Sequence, residues 1–404
     1  MSDTPEAQAD HAAARRVILT LTLANLFLFL SAGAQQQFLV SYLGDLTDWS
    51  GELRAGVIAA LYFSMMVFRV ANVWLLRRWP DRTQSIVGSL TYTGFCVAMV
   101  LFFFRPSPVL GFGAALVWGW GSAALWAGSS LQILAATDRG NSQYGSTIGL
   151  LYTATHFGFT VGVCALGWLY GALGRDALYL LYVAAAIVCL GGNIVLLLTP
   201  RLDHVRPEAP SLRGLLAIVA KPKVQVSGFL QFAAALSFGL MLGSFGDMIK
   251  TSYGKGWIWL LAAPYPLARL LWGWASGALS DRLGRAWTLA GSFLLVSAAL
   301  AGCALWSNRA TLGVAAAALG LLSTAVPVIA SAIVGDSADR ERRPLAYGSL
   351  FTFRDAGVVT ATLAGQVLKA QLGDFRGAFL AFAVVFAVCG LVSVILERWA
   401  EQRL

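Results

Sequence analysis

The sequence predicts an all-α membrane protein in which twelve transmembrane helices form two pseudo-symmetric six-helix bundles. Three observations predict this fold class: few charged residues, twelve apolar stretches of membrane-spanning length, and an internal repeat. Of the 404 residues, 58% are hydrophobic and 12% are charged, whereas a soluble domain carries about 25% charged residues. Most of the protein surface is therefore expected to face lipid.

The apolar stretches set the positions of the predicted helices. A helix needs about 20 residues to cross a hydrocarbon core about 30 Å thick. The stretches are continuously apolar rather than alternating, which favours helices over barrel strands. In chain order the predicted helices are Val17–Gly44, Gly51–Leu76, Thr83–Phe104, Pro106–Thr137, Ser142–Gly171, Ala177–Thr199, Val224–Lys250, Gly256–Ser280, Ala286–Asn308, Ala310–Gly335, Pro344–Leu368 and Gly377–Leu396.

The longest polar stretch divides the chain into halves. It has four prolines in it or beside it, and it separates the sixth predicted helix from the seventh. We therefore expect an N-terminal bundle at 1–200, a cytoplasmic linker at 201–223 and a C-terminal bundle at 224–404. A short surface helix is predicted within the linker at Leu212–Ala220.

The positive charges predict the orientation. Of the 29 Lys and Arg residues, 18 lie on the side of the N-terminus, 8 on the other side and 3 within helices. Cytoplasmic loops carry the excess of Lys and Arg, so both termini are predicted to be cytoplasmic, in the plasma (inner) membrane if the protein is bacterial. The basic residues lie in short loops, which indicates lipid headgroups as partners rather than nucleic acid. A monomer is expected.

Several kinds of chemistry are not supported by the sequence. The five cysteines lie inside apolar runs without a Cys-x-x-Cys pair, and His11, His156 and His204 have no metal-spaced neighbour. No Gly-x-x-x-x-Gly-Lys loop occurs, so ATP is not expected to drive the protein directly. We expect no enzyme activity, no metal and no cofactor.

The internal repeat relates the two halves. Each half has an arginine twelve residues before an Asp-Arg pair, and a second Asp-Arg pair shortly before Tyr-Gly-Ser, at offsets of 200 to 203 residues. Such a duplication predicts a pseudo-two-fold axis along the membrane normal. The matching residues are Arg69 with Asp81 and Arg82, Arg269 with Asp281 and Arg282, Asp138 and Arg139 with Tyr144–Ser146, and Asp339 and Arg340 with Tyr347–Ser349.

One loop carries a family motif. Between the eighth and ninth helices stand Gly277, Asp281, Arg282, Gly284 and Arg285. This spacing resembles the G-x-x-x-D-R-x-G-R signature of the major facilitator superfamily. The resemblance implies two bundles that rock around a solute site near mid-membrane, and an Asp–Arg latch that releases in one state. A static anchor on the inner membrane face is the alternative for these residues.

The chain also departs from that family pattern. The first half has a degenerate copy of the motif, with Asp81 and Arg82 after Pro80. For these two residues a latch and a static anchor are both possible roles. The fourth helix lacks the basic residue that many proton-coupled drug exporters of the family carry.

Charges inside the predicted helices point to a solute path. An arginine at a helix centre costs about 2.5–3.5 kcal/mol even on lenient insertion scales. Arg69 and Arg269 stand about 18 Å from the inner motif, at about 1.5 Å per residue. In symmetric bundles they would face each other across the axis, and an anionic solute, or a carboxylate for each, would relieve their repulsion. Structural pairing and snorkelling are the alternatives.

Arg354 and Asp355 are adjacent in the eleventh helix. Neighbours on a helix diverge by about 100°, so one is predicted to line the cavity while the other pairs with another helix. Asp355 is a candidate for proton coupling, because burial favours a neutral carboxyl group, and a structural salt bridge is the alternative.

Two more residues are candidates for proton coupling. His156 could relay protons, or it could be a hydrogen-bonded interior residue. Asp247, near the outer end of the seventh helix, could be a gate residue or could face lipid headgroups.

Amide side chains complete the candidate substrate site. Asn25, Gln36, Gln132 and Gln231 lie on the first, fourth and seventh helices. In the family that the chain resembles, helices 1, 4, 7 and 10 line the cavity. These amides are therefore predicted to bind solute, although they could instead join helices.

Prolines within two predicted helices indicate bends. Pro264 and Pro266 fall in the eighth helix and Pro327 in the tenth, where bends could assist gating.

Together these features predict a secondary transporter of a small solute, anionic or carboxylate-bearing, that works by rocker-switch alternating access with proton coupling. An exporter of amphiphilic or neutral compounds, and a non-transporting membrane chaperone or receptor of the same fold, are the alternatives.

Overall fold

The computed structural model describes residues 5–140, 144–202, 212–337 and 343–402, and no β-strand occurs in these ranges. The helices are α1 (Pro5–Gln37), α2 (Leu39–Leu46), α3 (Gly51–Leu75), α4 (Asp81–Phe104), α5 (Pro108–Gly140), α6 (Tyr144–Ala172), α7 (Tyr179–Leu197), α8 (Leu212–Val219), α9 (Pro222–Leu240), α10 (Gly246–Tyr253), α11 (Ile258–Ala262), α12 (Pro264–Leu283), α13 (Arg285–Leu305), α14 (Arg309–Ser337), α15 (Arg343–Leu372) and α16 (Phe375–Gln402).

These helices confirm the predicted fold class. Within the described residues, ten helical segments are long and apolar enough to cross a membrane. The other two predicted spans correspond to α11 with α12, and to α15. These carry Arg269 and the Arg354–Asp355 pair, so their charge lowers their hydropathy. The linker helix α8 ends one residue before its predicted boundary, whereas the bundle limits at 1–200 and 224–404 stay a prediction.

Two predicted helices are broken. The first is interrupted at Phe38, between α1 and α2, and the eighth at Ala263, between α11 and α12. The second break precedes Pro264, which begins α12 and lacks the N–H that would continue the previous helix. Pro327 lies inside α14, which continues through it without a break, and the bend expected there stays a prediction.

The seventh predicted helix contains a π-helical turn at Met241–Phe245, between α9 and α10. A π turn holds one extra residue, so it rotates everything that follows relative to an α-helix. Gln231 and Phe238 share a face, as their spacing of seven predicts. Phe245, seven residues further, instead packs against Phe379, with ring centroids 5.9 Å apart.

Packing repeats between the halves, as the internal repeat predicts. In the first half α1 packs on α6, α3 on α5, and α4 on α7. The equivalent pairs in the second half, α9 on α15, α12 on α14, and α13 on α16, also pack together. The halves meet along α3 and α15, and along α6 with α11 and α12, which are again equivalent pairs.

Glycines allow the tightest helix contact of the first half. Gly158 and Gly162 lie four residues apart on α6, and an added Cβ would collide with the carbonyl oxygens of Leu26 and Leu30 on α1. Small residues at this spacing let helix backbones approach closely in a membrane. The α1–α6 contact therefore depends on these two positions.

The molecule has two ends. The linker end bears α8, the beginning of α1 and the end of α16. The distal end is the opposite one and bears the connections at 47–50, 254–257 and 373–374.

Candidate functional site

A charged cluster joins the two halves near the middle of α3 and α15. Arg69 Nε donates to Asp355 Oδ2 at 2.5 Å, and Asp355 is fully buried. Arg354 donates to Asp355 Oδ1 from Nε at 3.0 Å and from Nη2 at 2.6 Å. One carboxylate therefore holds two guanidinium groups, of which one belongs to each half.

The adjacent pair on α15 divides its roles largely as predicted. Asp355 pairs with another helix, and Arg354 lines a cavity. The prediction from helix geometry did not include the contact between Arg354 and Asp355. The long Arg354 side chain bends back and binds the carboxylate of its neighbour.

A small cavity lies inside the second half, among α9, α12, α14 and α15. Its volume is about 20 Å³, which is room for roughly one water-sized group. Two guanidinium groups and one buried amide reach it together. The lining residues are Gln231, Ala234, Ala235, Phe238, Arg269, Ser323, Pro327 and Arg354.

Arg269 packs against aromatic rings. No carboxylate among the described residues forms an ion pair with it. Its guanidinium lies over Phe238 at 5.2 Å and over Tyr265 at 5.6 Å. These two rings are nearly parallel, 6° apart with centroids separated by 6.0 Å. Tyr62 of the first half packs edge-on against Phe238 at 5.8 Å. A cation over aromatic faces is stabilised, yet it keeps donors available for an anion.

The predicted pairing of Arg69 and Arg269 around one solute is therefore modified. Arg69 has a carboxylate partner in Asp355, whereas Arg269 shares its cavity with Arg354. A long side chain reaches several positions from its Cα, so repeat symmetry could place the backbones but not the guanidiniums.

The four candidate amides differ in their surroundings. Gln231 lines the cavity and is 1% exposed. Gln36 Oε1 accepts a hydrogen bond from Tyr62 at 2.9 Å. Asn25 donates within its own helix, to Leu21 O at 2.9 Å. Gln132 donates to Ser85 Oγ at 2.8 Å, so it joins α5 to α4 as the helix-joining alternative describes.

His156 lies in an aromatic stack of the first half. Its ring follows Tyr152 at 6.4 Å, and Tyr152 follows Trp126 at 5.4 Å. His156 therefore packs in a stack of rings from α5 and α6.

Asp247 belongs to a clamp that closes the distal end. It binds Arg54 of the first half through two contacts, of 3.2 and 3.0 Å. Lys250 pairs with Asp45 at 2.7 Å, and Tyr170 donates to Asp45 at 2.6 Å. Asp247 is 5% exposed, so the headgroup-facing alternative was wrong. We call Arg54, Asp247, Asp45 and Lys250 the distal clamp.

Sequence reasoning missed this clamp because its partners lie about 200 residues apart. In the sequence, Arg54 and Lys250 are two of the eight basic residues on the side opposite the N-terminus. The available signal was weak: acidic and basic residues concentrate at helix ends that the two-bundle fold brings together.

The signature loop provides a turn but no observed latch. Gly284 has φ 85°, a conformation that glycine adopts without strain, and it separates α12 from α13. Asp281 and Arg282 are exposed, and no ion pair joins them within the described ranges. A Cβ added at Gly277 would just reach Val328, at 4.0 Å, and Arg285 is half-buried.

The degenerate copy has a local role in the first half. Arg82 donates to Leu197 O at 2.5 Å, where a cation stabilises the C-terminal end of α7. Asp81, at the start of α4, is buried, and its backbone carbonyl accepts from Ser85. In this conformation Arg82 therefore acts as a static anchor rather than as a latch.

The second Asp-Arg pair of the repeat is observed only in part. Asp138 is exposed, and Arg139 pairs weakly with Asp10 at 3.8 Å. Asp339 and Arg340 lie outside the described residues.

The centre as a whole carries excess positive charge. Among the described residues, the three guanidiniums of Arg69, Arg269 and Arg354 against the carboxylate of Asp355 leave a net charge of +2 at this centre. No group of three or more His, Cys, Asp or Glu side chains that could hold a metal is found in the described ranges. The arrangement favours binding of an anion.

Comparisons with known proteins agree with this architecture. A family profile described as Major Facilitator Superfamily matches residues 228–402. The crystal structure of the nucleoside transporter NupG aligns with 94% of this chain and 99% of its own, with a TM-score of 0.72 and 12% identity. A point mutant of NupG aligns over the same shares, with a TM-score of 0.71 and 14% identity. No curated protein matches the chain.

Proposed function

We propose that this chain is a major facilitator superfamily transporter and that it carries a small organic anion coupled to protons. The family profile matches its residues 228–402, and the fold matches over nearly its whole length. The proposal rests on one observation. Arg269 and Arg354 line the same cavity, and among the described residues one carboxylate, Asp355, accompanies the three central arginines.

Binding follows from the chemistry of the two guanidiniums. Arg269 is held by ring faces and keeps donors free for an anion. Arg354 shares Asp355 with Arg69. A carboxylate of the solute would therefore bind Arg269 and compete with Asp355 for Arg354. Charge-assisted hydrogen bonds of this kind are among the strongest that proteins make.

Proton coupling follows from the same competition. A proton on Asp355 would weaken its bonds to Arg69 and Arg354 together. Arg354 would become available to the anion, and a contact between the two halves would weaken. Anion and proton would then favour the same conformational change, which is the requirement for symport.

The conformational state fits alternating access. The distal clamp closes one end of the path between the halves. If both termini are cytoplasmic, as the charge asymmetry predicts, the path is closed towards the outside. The exchange between states would break the distal clamp and close the linker end.

Nucleosides are a second candidate. Two solved structures that share the fold are of a nucleoside transporter, and the parallel rings of Phe238 and Tyr265 could stack against a base. A neutral nucleoside would not depend on Arg269 as an anion does. An exporter of amphiphilic compounds and a non-transporting receptor have no such observation in their favour.

A thermal-shift screen of the purified protein distinguishes these solutes. The probes are lactate, succinate, benzoate, inorganic phosphate and uridine. We expect a carboxylate to stabilise the protein, and Arg269→Ala to weaken its binding by about 10- to 100-fold, the value of one or two charge-assisted bonds. Arg309→Ala is the matched control, because Arg309 also lies over two rings but at the distal end.

The screen also has outcomes that contradict the proposal. Stabilisation by uridine that is unaffected by Arg269→Ala would favour the nucleoside. Equal loss of carboxylate binding in both arginine variants would indicate general damage to the fold rather than a binding role.

A further inference from the structure

Gln231 has an acceptor that nothing in the described protein satisfies. Its side chain is 1% exposed, and its Oε1 atom has no hydrogen-bond partner. Arg269 Nε lacks a partner in the same way. Both residues line one cavity with Arg354. A buried polar atom without a partner costs about 1–3 kcal/mol, so native proteins rarely keep one without a use.

The uncharged lining residues do not supply the missing donor. The Ser323 hydroxyl accepts from Tyr265 at 3.2 Å and donates to Gly320 O at 2.9 Å, so its hydrogen is engaged. Ala234, Ala235, Phe238 and Pro327 have no side-chain donor. Arg269 and Arg354 are the remaining donors of the lining, and in the proposed complex they donate to the anion. The donor for Gln231 then comes from a group that enters the cavity.

The surrounding charge restricts which donor can enter. The centre carries three guanidiniums against one carboxylate, so an ammonium group would be repelled. A neutral O–H is the donor compatible with this field. The guanidiniums bind an anionic group of the same solute, which places the O–H close to that group.

We propose that Gln231 selects for a hydroxyl group beside the anionic group, so that the solutes are hydroxylated organic anions such as 2-hydroxy carboxylates. This rests on the proposed anion transport and names its substrate class. Sites built to hydrogen-bond a substrate hydroxyl reject the analogue that lacks it, because their buried polar atom is then unpaired.

The test compares matched pairs of anions. The probes are lactate against propionate and malate against succinate, whose members differ by one hydroxyl. Their dissociation constants are measured by calorimetry on the purified full-length protein. We expect the hydroxylated member to bind about tenfold tighter, which corresponds to one hydrogen bond.

Variants on one helix locate the effect. Gln231→Leu keeps the approximate shape and removes the acceptor, so the ratio within each pair should fall to about one. Gln225→Leu is the matched control, because Gln225 is an exposed glutamine six residues earlier on α9, and its ratio should stay near ten. Gln231→Met offers a second apolar variant if the leucine variant does not fold.

The outcomes separate this inference from the proposed function. Binding that depends on Arg269 with a ratio near one in the natural protein would overturn the inference and leave anion transport standing; Gln231 would then bind only water. A ratio near ten that persists without the Gln231 amide would also overturn it. No carboxylate binding at all would overturn both.

Discussion

Asp355 is the carboxylate that pairs with both Arg69 and Arg354 among the described residues. It is fully buried, and it links the two halves. Removing one member of a buried ion pair costs about 3–5 kcal/mol, since the remaining charge is left without compensation. The same position therefore governs both stability and the proposed coupling.

Asp355→Asn should abolish proton-driven uptake in proteoliposomes while the anion still exchanges across the membrane. It should also lower the melting temperature, because two guanidiniums lose their counter-charge. Asp48→Asn is the control, since Asp48 is exposed at the distal end. Uptake that stays fully responsive to the pH gradient would exclude Asp355 as the proton carrier.

Arg54 and Asp247 decide whether the distal end stays closed. Arg54→Ala leaves Asp247 buried without a partner, so we expect the distal end to open more often. The measurement is labelling of a Ser41→Cys variant by a membrane-impermeant maleimide, in a background without the natural cysteines. Ser41 is 1% exposed behind the clamp.

The controls for that experiment use charges in the same region. Arg105→Ala removes an exposed distal arginine outside the clamp and should leave labelling unchanged. Restoring the pair as Arg54→Asp with Asp247→Arg should return labelling towards its original rate. Equal labelling in every variant would mean that the ion pair does not hold this end.

At the scale of elements, glycine positions set how closely the helices approach. Gly158 and Gly162 face the α1 backbone, whereas Gly149 on the same helix has no atom near its missing Cβ. Overpacking a tight contact typically costs about 1–3 kcal/mol. The effect of an added methyl group should therefore depend on the face of α6 that receives it.

Gly162→Ala should lower the thermal stability of the purified protein measurably, and Gly149→Ala should raise it slightly or leave it unchanged. The expected gain at Gly149 comes from the higher helix propensity of alanine. Equal melting temperatures for the two variants would contradict the close α1–α6 contact.

The π turn at Met241–Phe245 is the other decisive feature at this scale. Gln37 of the first half donates to Met241 O at 3.4 Å, and Gln366 of α15 donates to Gly243 O at 2.6 Å. These amides bond carbonyls of the irregular turn. The turn lies between the cavity residues of α9 and the clamp residues of α10, so it sets their relative rotation.

For the whole molecule, orientation in the membrane is a prediction of charge alone. The excess of Lys and Arg on the linker side predicts cytoplasmic termini. A fluorescent protein fused to the C-terminus should fluoresce in bacterial cells, and alkaline phosphatase fused there should be inactive. Active phosphatase at the C-terminus would reverse the orientation and the direction assigned to the closed end.

Much of the whole molecule followed from the sequence. Hydrophobic length determined where the helices cross, because a helix must satisfy its own backbone in lipid. The repeat around Arg69 and Arg269 determined that two similar bundles face each other. The cost of charge in a membrane identified Arg69, Arg269, Arg354 and Asp355 as central residues.

Only the tertiary structure decided which of these charges are partners. Arg69 binds Asp355 across 286 positions of sequence, Asp247 binds Arg54, and Arg269 is held by rings. Helical periodicity fixes the face on which a residue lies, but a guanidinium several bonds from its Cα takes the partner that packing brings within reach. The spacing of apolar residues did not predict the π turn. The extra residue in such a turn rotates the residues that follow it, and this rotation is recognised only from the neighbours that they contact.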